Sequence, residues 1–320
     1  MSDWVLALIV IELIMVIGWW VGKRIGNVGF IDFLWAYGFS VVAVVYAVLS
    51  PAPSFRVWSV LFLVFVWSLR LGTFLLARFY RHYPKEDPRY TKIKAGWKGH
   101  TDAKLLGMFL FQGLTISVLS LPFLISLNNT AWFYSIGEAF GAFLVLVGVI
   151  GEWTADVTKR RATNEAKRAG LWKLSRHPNY FFDWMSWIGF SIIALSAPYG
   201  VLGLISPLLI YGLLTRFSGI PPSEKHLKGQ PSFEQYRSQT NSFTVFAPKL
   251  WPYRKWLLWT TLLMAVTLGL APYSPPHFWQ KLTWVYEGAP FRFIDGLDLI
   301  LHGLPWALLS LFLLEKLDPP

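Results

Sequence analysis

The sequence predicts an all-α integral membrane protein, a polytopic helical bundle, and three observations carry that expectation. Apolar stretches of about 20 residues, the length a spanning helix needs, recur along the chain. Only 15% of the residues are charged, against about 25% in an average soluble domain. Eighteen Trp and 13 Tyr supply the amphipathic rings that collect at membrane–water boundaries. The formal net charge of +11 is read as loops facing anionic lipid, and no nucleic-acid partner is expected. The chain has no cysteine, which excludes disulfides, thiol nucleophiles and thiolate metal sites.

Taken in order, spans are expected near 4–22, 28–49, 57–78, 105–126, 135–155, 181–197, 199–217, 256–272 and 297–314. The first has Asp3 before it, no basic leader and no small-residue cleavage site, so it reads as a retained span. The sixth and seventh are separated only by Pro198-Tyr199-Gly200 and should form a tight hairpin. The last is interrupted by Pro305. If these spans alternate, 25 of the 29 Lys and Arg share one side with the C-terminus. The positive-inside rule then puts the N-terminus outside and the C-terminus in the cytoplasm. The expected organisation is a core with cytoplasmic loops over 1–255 and a C-terminal transmembrane hairpin over 256–320.

The candidate chemistry lies in the long basic loops, since sites gather on loops held by rigid helices. The sharpest stretch is Gly170-Leu171-Trp172-Lys173-Leu174-Ser175-Arg176-His177-Pro178-Asn179-Tyr180. Pro178 suits a first helical turn, and the helix start it opens favours an anion. Arg176 offers a donor fork for phosphate or carboxylate, His177 and Asn179 add neutral donors and acceptors, and Tyr180 can stack or donate. An interfacial cap with a snorkelling arginine is the plainer reading of the same residues. Glu152 and Asp156 share one face of the fifth span ahead of Lys159, Arg160 and Arg161. They are either site carboxylates or flanking charge. Two further clusters are Arg78 to Arg81 with Glu86-Asp87-Pro88-Arg89-Tyr90, and Arg216 with Ser218-Gly219-Ile220-Pro221, Glu224 and Tyr236. By themselves they read as loop turns and membrane anchors. Asp32, in the first turns of the second span, and Tyr37 are an acid and a phenol that can polarise a carbonyl and protonate it. Asp32 can equally cap its helix. The six His have no metal-ligand spacing, and no metal site is expected.

Ordered along the chain, Asp32-x-x-Trp35-x-x-Gly38-Phe39, Trp67-x-x-Arg70-Leu71, Glu86 to Tyr90, Glu152-x-x-x-Asp156, Gly170 to Tyr180 and Ser218 to Pro221 carry a resemblance. Over roughly residues 28–250 the chain resembles the bacterial membrane proteins related to steroid 5-alpha-reductase. That superfamily includes isoprenylcysteine carboxyl methyltransferase. The resemblance implies a seven-helix core open to the cytosol for NADPH and to the bilayer for an apolar, lipid-like enone. Asp156, Arg160, Arg176, His177, Asn179, Tyr180, Asp183 and Arg216 would line the cofactor, with Arg89 and Tyr90 covering it. Asp32 and Tyr37 are the candidates for the catalytic acid pair. Asp183 stands where that family usually has Glu, and residues 256–320 have no counterpart in it.

The expected activity is NADPH-dependent reduction of the carbon–carbon double bond of a steroid-like, isoprenoid or other apolar enone. The expected setting is a bacterial inner membrane, with the active site facing the cytoplasm. No Gly-x-Gly-x-x-Gly signature is present, so a dinucleotide would occupy a helical cavity and not a Rossmann fold. Two rivals share these motifs: a membrane methyltransferase using S-adenosylmethionine, and a non-catalytic lipid-binding protein.

Overall fold

The computed structural model describes residues 2–161, 169–225, 227–246 and 254–270, together with 280, 283, 298, 301–306 and 308–310. Every regular element among the described residues is helical, and the one β feature is an isolated bridge between Ser175 and Asn241. The protein is therefore an all-α polytopic membrane protein. Among the described residues, six helical segments are long and apolar enough to cross a membrane: Ser2–Ile25, Ile31–Val48, Ser54–His82, Thr101–Leu119, Ile136–Arg160 and Gly200–Glu224.

The chain divides into two compact units. The first comprises Met1–Phe133 with Leu202–Ser206. It contains α1 (Ser2–Ile25), α2 (Ile31–Val48), α3 (Ser54–His82), α4 (Pro88–Ala95), α5 (Thr101–Leu119) and α6 (Leu121–Leu127). Gly26, at φ 66°, ends α1 in the left-handed conformation that glycine adopts without strain. The span expected over 105–126 is two helices, because Pro122 has no N–H to continue α5 and instead sits in the first turn of α6. In hydrocarbon, polar groups and close packing hold helices together. Here Ser40 Oγ donates to Ser68 Oγ at 2.8 Å and Ser68 Oγ to the Ala36 carbonyl at 2.7 Å, joining α2 to α3. Trp35 Nε1 reaches Thr115 Oγ1 at 3.1 Å, and Trp4 Nε1 reaches the Ser117 carbonyl at 2.9 Å, which joins α2 and α1 to α5. The ion pair of Lys23 with Asp102 marks one end of the unit. The opposite end is closed by Arg56, fully buried, whose Nη2 donates to the carbonyls of Ala131 and Phe133, each at 3.1 Å.

The second unit comprises Tyr134–Val201 and Pro207–Pro320. Here α7 (Ile136–Arg161) and α8 (Pro178–Ala194) run antiparallel at very close approach. A Cβ on Gly141 would sit 2.6 Å from the Gly189 carbonyl, and one on Gly148 would sit 2.2 Å from Ser186 Oγ. Glycine is what lets these backbones meet. With 17 residues, α8 is ~26 Å long at 1.5 Å per residue, somewhat short of a ~30 Å hydrocarbon core. The segment expected as the seventh span is helical in three successive geometries: a 3-10 turn at Gly200–Leu204, α9 (Ile205–Gly212) and a π turn at Leu213–Phe217. Trp184 Nε1 donates to the Pro207 carbonyl at 2.9 Å, closing the hairpin expected at Pro198-Tyr199-Gly200. Two short helices follow, α10 (Ile220–Glu224) and α11 (Pro231–Gln239), and then α12 (Arg254–Thr267). The expected ninth span lies partly outside the described residues. Within them, His302 hydrogen-bonds the Leu268 carbonyl and the Trp306 indole abuts Gly269.

Candidate functional site

Each unit gathers one polar cluster. In the first unit the cluster begins at α4, where Asp87 is the N-cap: its side chain accepts the Arg89 N–H at 2.9 Å and Pro88 fills the first turn. That capped start presents the next two residues to α2. Arg89 Nη2 lies 2.5 Å from Asp32 Oδ2, and the Tyr90 hydroxyl donates to Asp32 Oδ1. Asp87 also accepts from Arg89 Nε at 3.1 Å and from Arg78 Nη2 at 2.7 Å. Glu86 braces the loop by accepting the Val28 N–H at 3.0 Å and pairing with Lys94 at 2.5 Å. Asp32 therefore does not cap α2, whose N-cap residue is Phe30 with no side-chain cap bond. Nor is its phenol partner the expected one. Tyr37 points to Thr73 Oγ1 at 3.1 Å, and the hydroxyl on Asp32 is that of Tyr90. Tyr37 is one turn too far along α2, whereas Tyr90 arrives from another helix.

The electrostatics of this cluster follow from partial burial among paired charges. Burial opposes ionisation of Asp87, but hydrogen bonds from Arg89 and the charges of Arg89 and Arg78 together outweigh it, leaving the carboxyl below its ordinary range. Burial lowers the tendency of Arg89 to hold its proton, and Asp32 and Asp87 more than restore it. Burial first, then the neighbouring Asp32, pushes the Tyr90 phenol well up. Asp32 and Arg89 keep side-chain exposures of 25% and 39%, so a ligand can reach them. Phe30, Phe33 and Phe79 pack against one another, with Phe33 and Phe79 centroids 5.6 Å apart.

In the second unit the cluster is built on the loop before α8. Gly170, at φ 57°, turns the chain into a 3-10 stretch, Gly170–Lys173. Trp172 Nε1 then donates to the Ala155 carbonyl of α7 at 3.0 Å, and Lys159 lies 4.4 Å over its ring. Tyr236 Oη donates to the Trp172 carbonyl at 2.5 Å, and the Arg176 N–H to the Asn241 carbonyl at 2.8 Å. Arg176 Nε and His177 Nε2 both meet Glu224 Oε1 at 2.9 Å, while Arg176 Nη1 donates to the Thr240 carbonyl at 2.8 Å. The His177 ring stacks on Tyr180 with centroids 5.2 Å apart and planes 4° off parallel. Burial holds the His177 imidazole below its ordinary pKa despite the pull of Glu224, and Lys159 and Arg176 push the same way.

The structure places Arg176 inside the fold. Its side chain is 5% exposed, and its donors face Glu224 and backbone carbonyls. It clamps the 237–241 segment. Asp156, Asp183 and Glu152 are all buried, in the layer where Gly148 and Gly151 of α7 abut Phe182 and Ser186 of α8. Asn179 Oδ1 is shielded from solvent and has no hydrogen-bond partner among the described residues. Arg160 and Arg216 are exposed. Among the described residues no group of three His, Asp or Glu can hold a metal ion.

The sequence motifs underrated Glu224 and Asp87, which organise the two clusters. Each is a lone or paired acid inside a strongly basic loop, and that contrast in charge is the signal that singles them out.

A family model described as "Protein of unknown function (DUF1295)" matches residues 18–240, a stretch that includes both clusters. Neither a curated protein nor a solved structure matches the chain.

Proposed function

The chain belongs to the DUF1295 family of proteins of unknown function, and from that premise we propose that it is an NADPH-dependent membrane reductase. The reaction is reduction of the carbon–carbon double bond of an apolar enone (steroid-like, isoprenoid or another lipid). The reading draws on the resemblance to steroid 5-alpha-reductase relatives. The observation that carries it is the cluster of Asp32, Arg89 and Tyr90, which joins a carboxylate, a guanidinium and a phenol from two elements.

Reducing an enone places negative charge on its carbonyl oxygen as the β-carbon accepts hydride. Tyr90, kept protonated by burial, would serve that oxygen by turning its one O–H from Asp32 to it, with Asp32 left paired to Arg89. The Arg89 guanidinium beside it opposes the developing charge in a site partly removed from water. The proton that completes the saturated ketone at the α-carbon comes from solvent. NADPH supplies the hydride when bound. The second unit holds groups that suit such a cofactor: exposed Arg160 and Arg216 for phosphate charge, and Asn179 with an acceptor the protein leaves without a donor. Buried Asp156 and Asp183 suit ribose hydroxyls. Because 25 of the 29 Lys and Arg fall on one expected side, we place the basic loops on the cytoplasmic side of a bacterial inner membrane.

The test is purified protein in detergent, NADPH titrated by thermal protection, and transfer of label from tritiated NADPH into a bacterial lipid extract. Binding with transfer is expected, and its absence with protection by S-adenosylmethionine would replace this reading by the methyltransferase one. That second reading has its own support: the second unit buries Glu152, Asp156 and Asp183, whose carboxylates suit a sulfonium, and Arg176 is engaged by Glu224. Protection by neither cofactor would leave a lipid-binding protein.

A further inference from the structure

Between residues 78 and 104 every acid of the first unit is engaged within the fold. Glu86 pairs with Lys94 at 2.5 Å, Asp87 with Arg78 at 2.7 Å and Arg89 at 3.0 Å, and Asp102 with Lys23. Arg81, Lys85, Lys92, Lys98 and Lys104 of the same stretch are exposed and have no acidic partner among the described residues. The stretch is also fixed in depth. Arg89 and Tyr90, near the start of α4, bond Asp32 in the first turn of the spanning helix α2, so α4 is tied to the level at which α2 enters the bilayer. At 3.6 residues per turn, Lys92 lies roughly 200° around α4 from buried Tyr90 and faces away from Asp32. Next to it Ile93 is 43% exposed, and Tyr80 and Tyr83, at the end of α3, are 68% and 51% exposed. Free cations interleaved with bare apolar side chains at a helix end suit the boundary between headgroups and acyl chains.

We infer that α4 docks by its outward face on the headgroups of anionic phospholipid, and that this contact holds Arg89 and Tyr90 on Asp32. Charge complementarity selects the partner, because anionic headgroups attract basic residues lying beside a span. The depth selects it too, since Ile93, Tyr80 and Tyr83 would stay wet against an acidic partner in the aqueous phase. Lipid charge then regulates the first cluster from the side of α4 that the ligand does not touch. The regulatory half rests on the reductase reading of Asp32, Arg89 and Tyr90, and the docking does not.

The chain has no cysteine, so Ile93→Cys carries a single polarity-sensitive fluorophore. The full chain is placed in nanodiscs of phosphatidylcholine, with and without phosphatidylglycerol. Emission should shift to the blue with phosphatidylglycerol and return in high salt, which screens surface charge. Lys85→Gln/Lys92→Gln, which alters no residue of the Asp32 cluster, should lower the docked-to-undocked ratio about 30-fold. In the unlabelled wild type, cleavage by trypsin after Lys92 should slow with phosphatidylglycerol. Equal emission and equal cleavage in the two lipids, or a shift that the double substitution leaves unchanged, overturns the docking. A shift produced in detergent by glycerol 3-phosphate marks a free-phosphate site and overturns it as well. Enone turnover should rise with phosphatidylglycerol in wild type and not in the double variant. Equal turnover in both lipids, with docking intact, overturns the regulatory half alone. Absence of turnover in both lipids overturns that half together with the reductase reading, and leaves the docking standing.

Discussion

Replacing Arg176 by Met tests whether this arginine holds the protein together or holds a ligand. The Arg176 and Glu224 side chains are 5% and 7% exposed, so their ion pair is scarcely screened by water. Removing one partner of a buried pair costs about 3–5 kcal/mol, because the other charge stays behind unpaired. The Thr240 carbonyl, which accepts from Nη1 at 2.8 Å, loses its donor as well and adds about 1–3 kcal/mol. Even the lower end of that sum is a large share of a typical 5–15 kcal/mol folding stability. Arg176→Met is therefore expected to aggregate or unfold at a much lower temperature than wild type, with or without cofactor. Arg176→Met/Glu224→Leu should recover part of the loss, since the stranded carboxylate goes too. The assay is the fraction of monodisperse protein left in detergent after heating at a series of temperatures. An Arg176→Met protein that melts like wild type and has lost only NADPH binding would refute this reasoning and restore the phosphate fork.

Five further outcomes are expected. Asp32→Asn should lower turnover of an enone at least tenfold while changing NADPH affinity little; equal losses in both would place Asp32 with the cofactor instead. Tyr90→Phe should reduce turnover similarly, whereas Tyr37→Phe should leave it near wild type, because Tyr37 bonds only Thr73. Gly148→Leu should prevent α7 and α8 from packing, seen as loss of soluble, monodisperse protein, since its Cβ alone would lie 2.2 Å from Ser186 Oγ. His177 is held neutral in the fold, with its pKa below the unfolded value near 6.5, so acid favours the unfolded chain. Stability should thus fall as pH drops below about 6.5, and His177→Gln, which can still donate to Glu224, should flatten that slope. A topology reporter fused after Leu317 should read as cytoplasmic; an external signal would break the proposed orientation.

Much of the architecture is legible in one dimension. Hydrophobic length marks each of the first five spans, with ends up to seven residues off, because a helix in hydrocarbon must satisfy its own backbone along its whole length. Pro122 was equally visible, yet its effect, ending α5 and starting α6, depends on which backbone groups lose a donor. The block from Gly170 to Tyr180 stood out by residue type, and the structure does make it a folded unit with α7. Its polarity was not legible. Whether Arg176 faces solvent or Glu224, 48 positions away, is a matter of chain path, and no local pattern contains it. The same holds for Asp32. It lay close to Tyr37 along the chain, but a residue five positions on in a helix points away, and the partner is Tyr90 from a capped turn 58 positions later.

Composition and local pattern were enough for the class of protein and for most of its helices. Those properties depend on each residue's own transfer energy and on its neighbours within a turn or two. Which donors meet which acceptors was settled by packing between distant segments. Burial made those pairings decisive, because a charge or a polar group removed from water must find its partner within the fold. That is why Arg176 became a clamp, Glu224 its anchor, and Asn179 the acceptor left open.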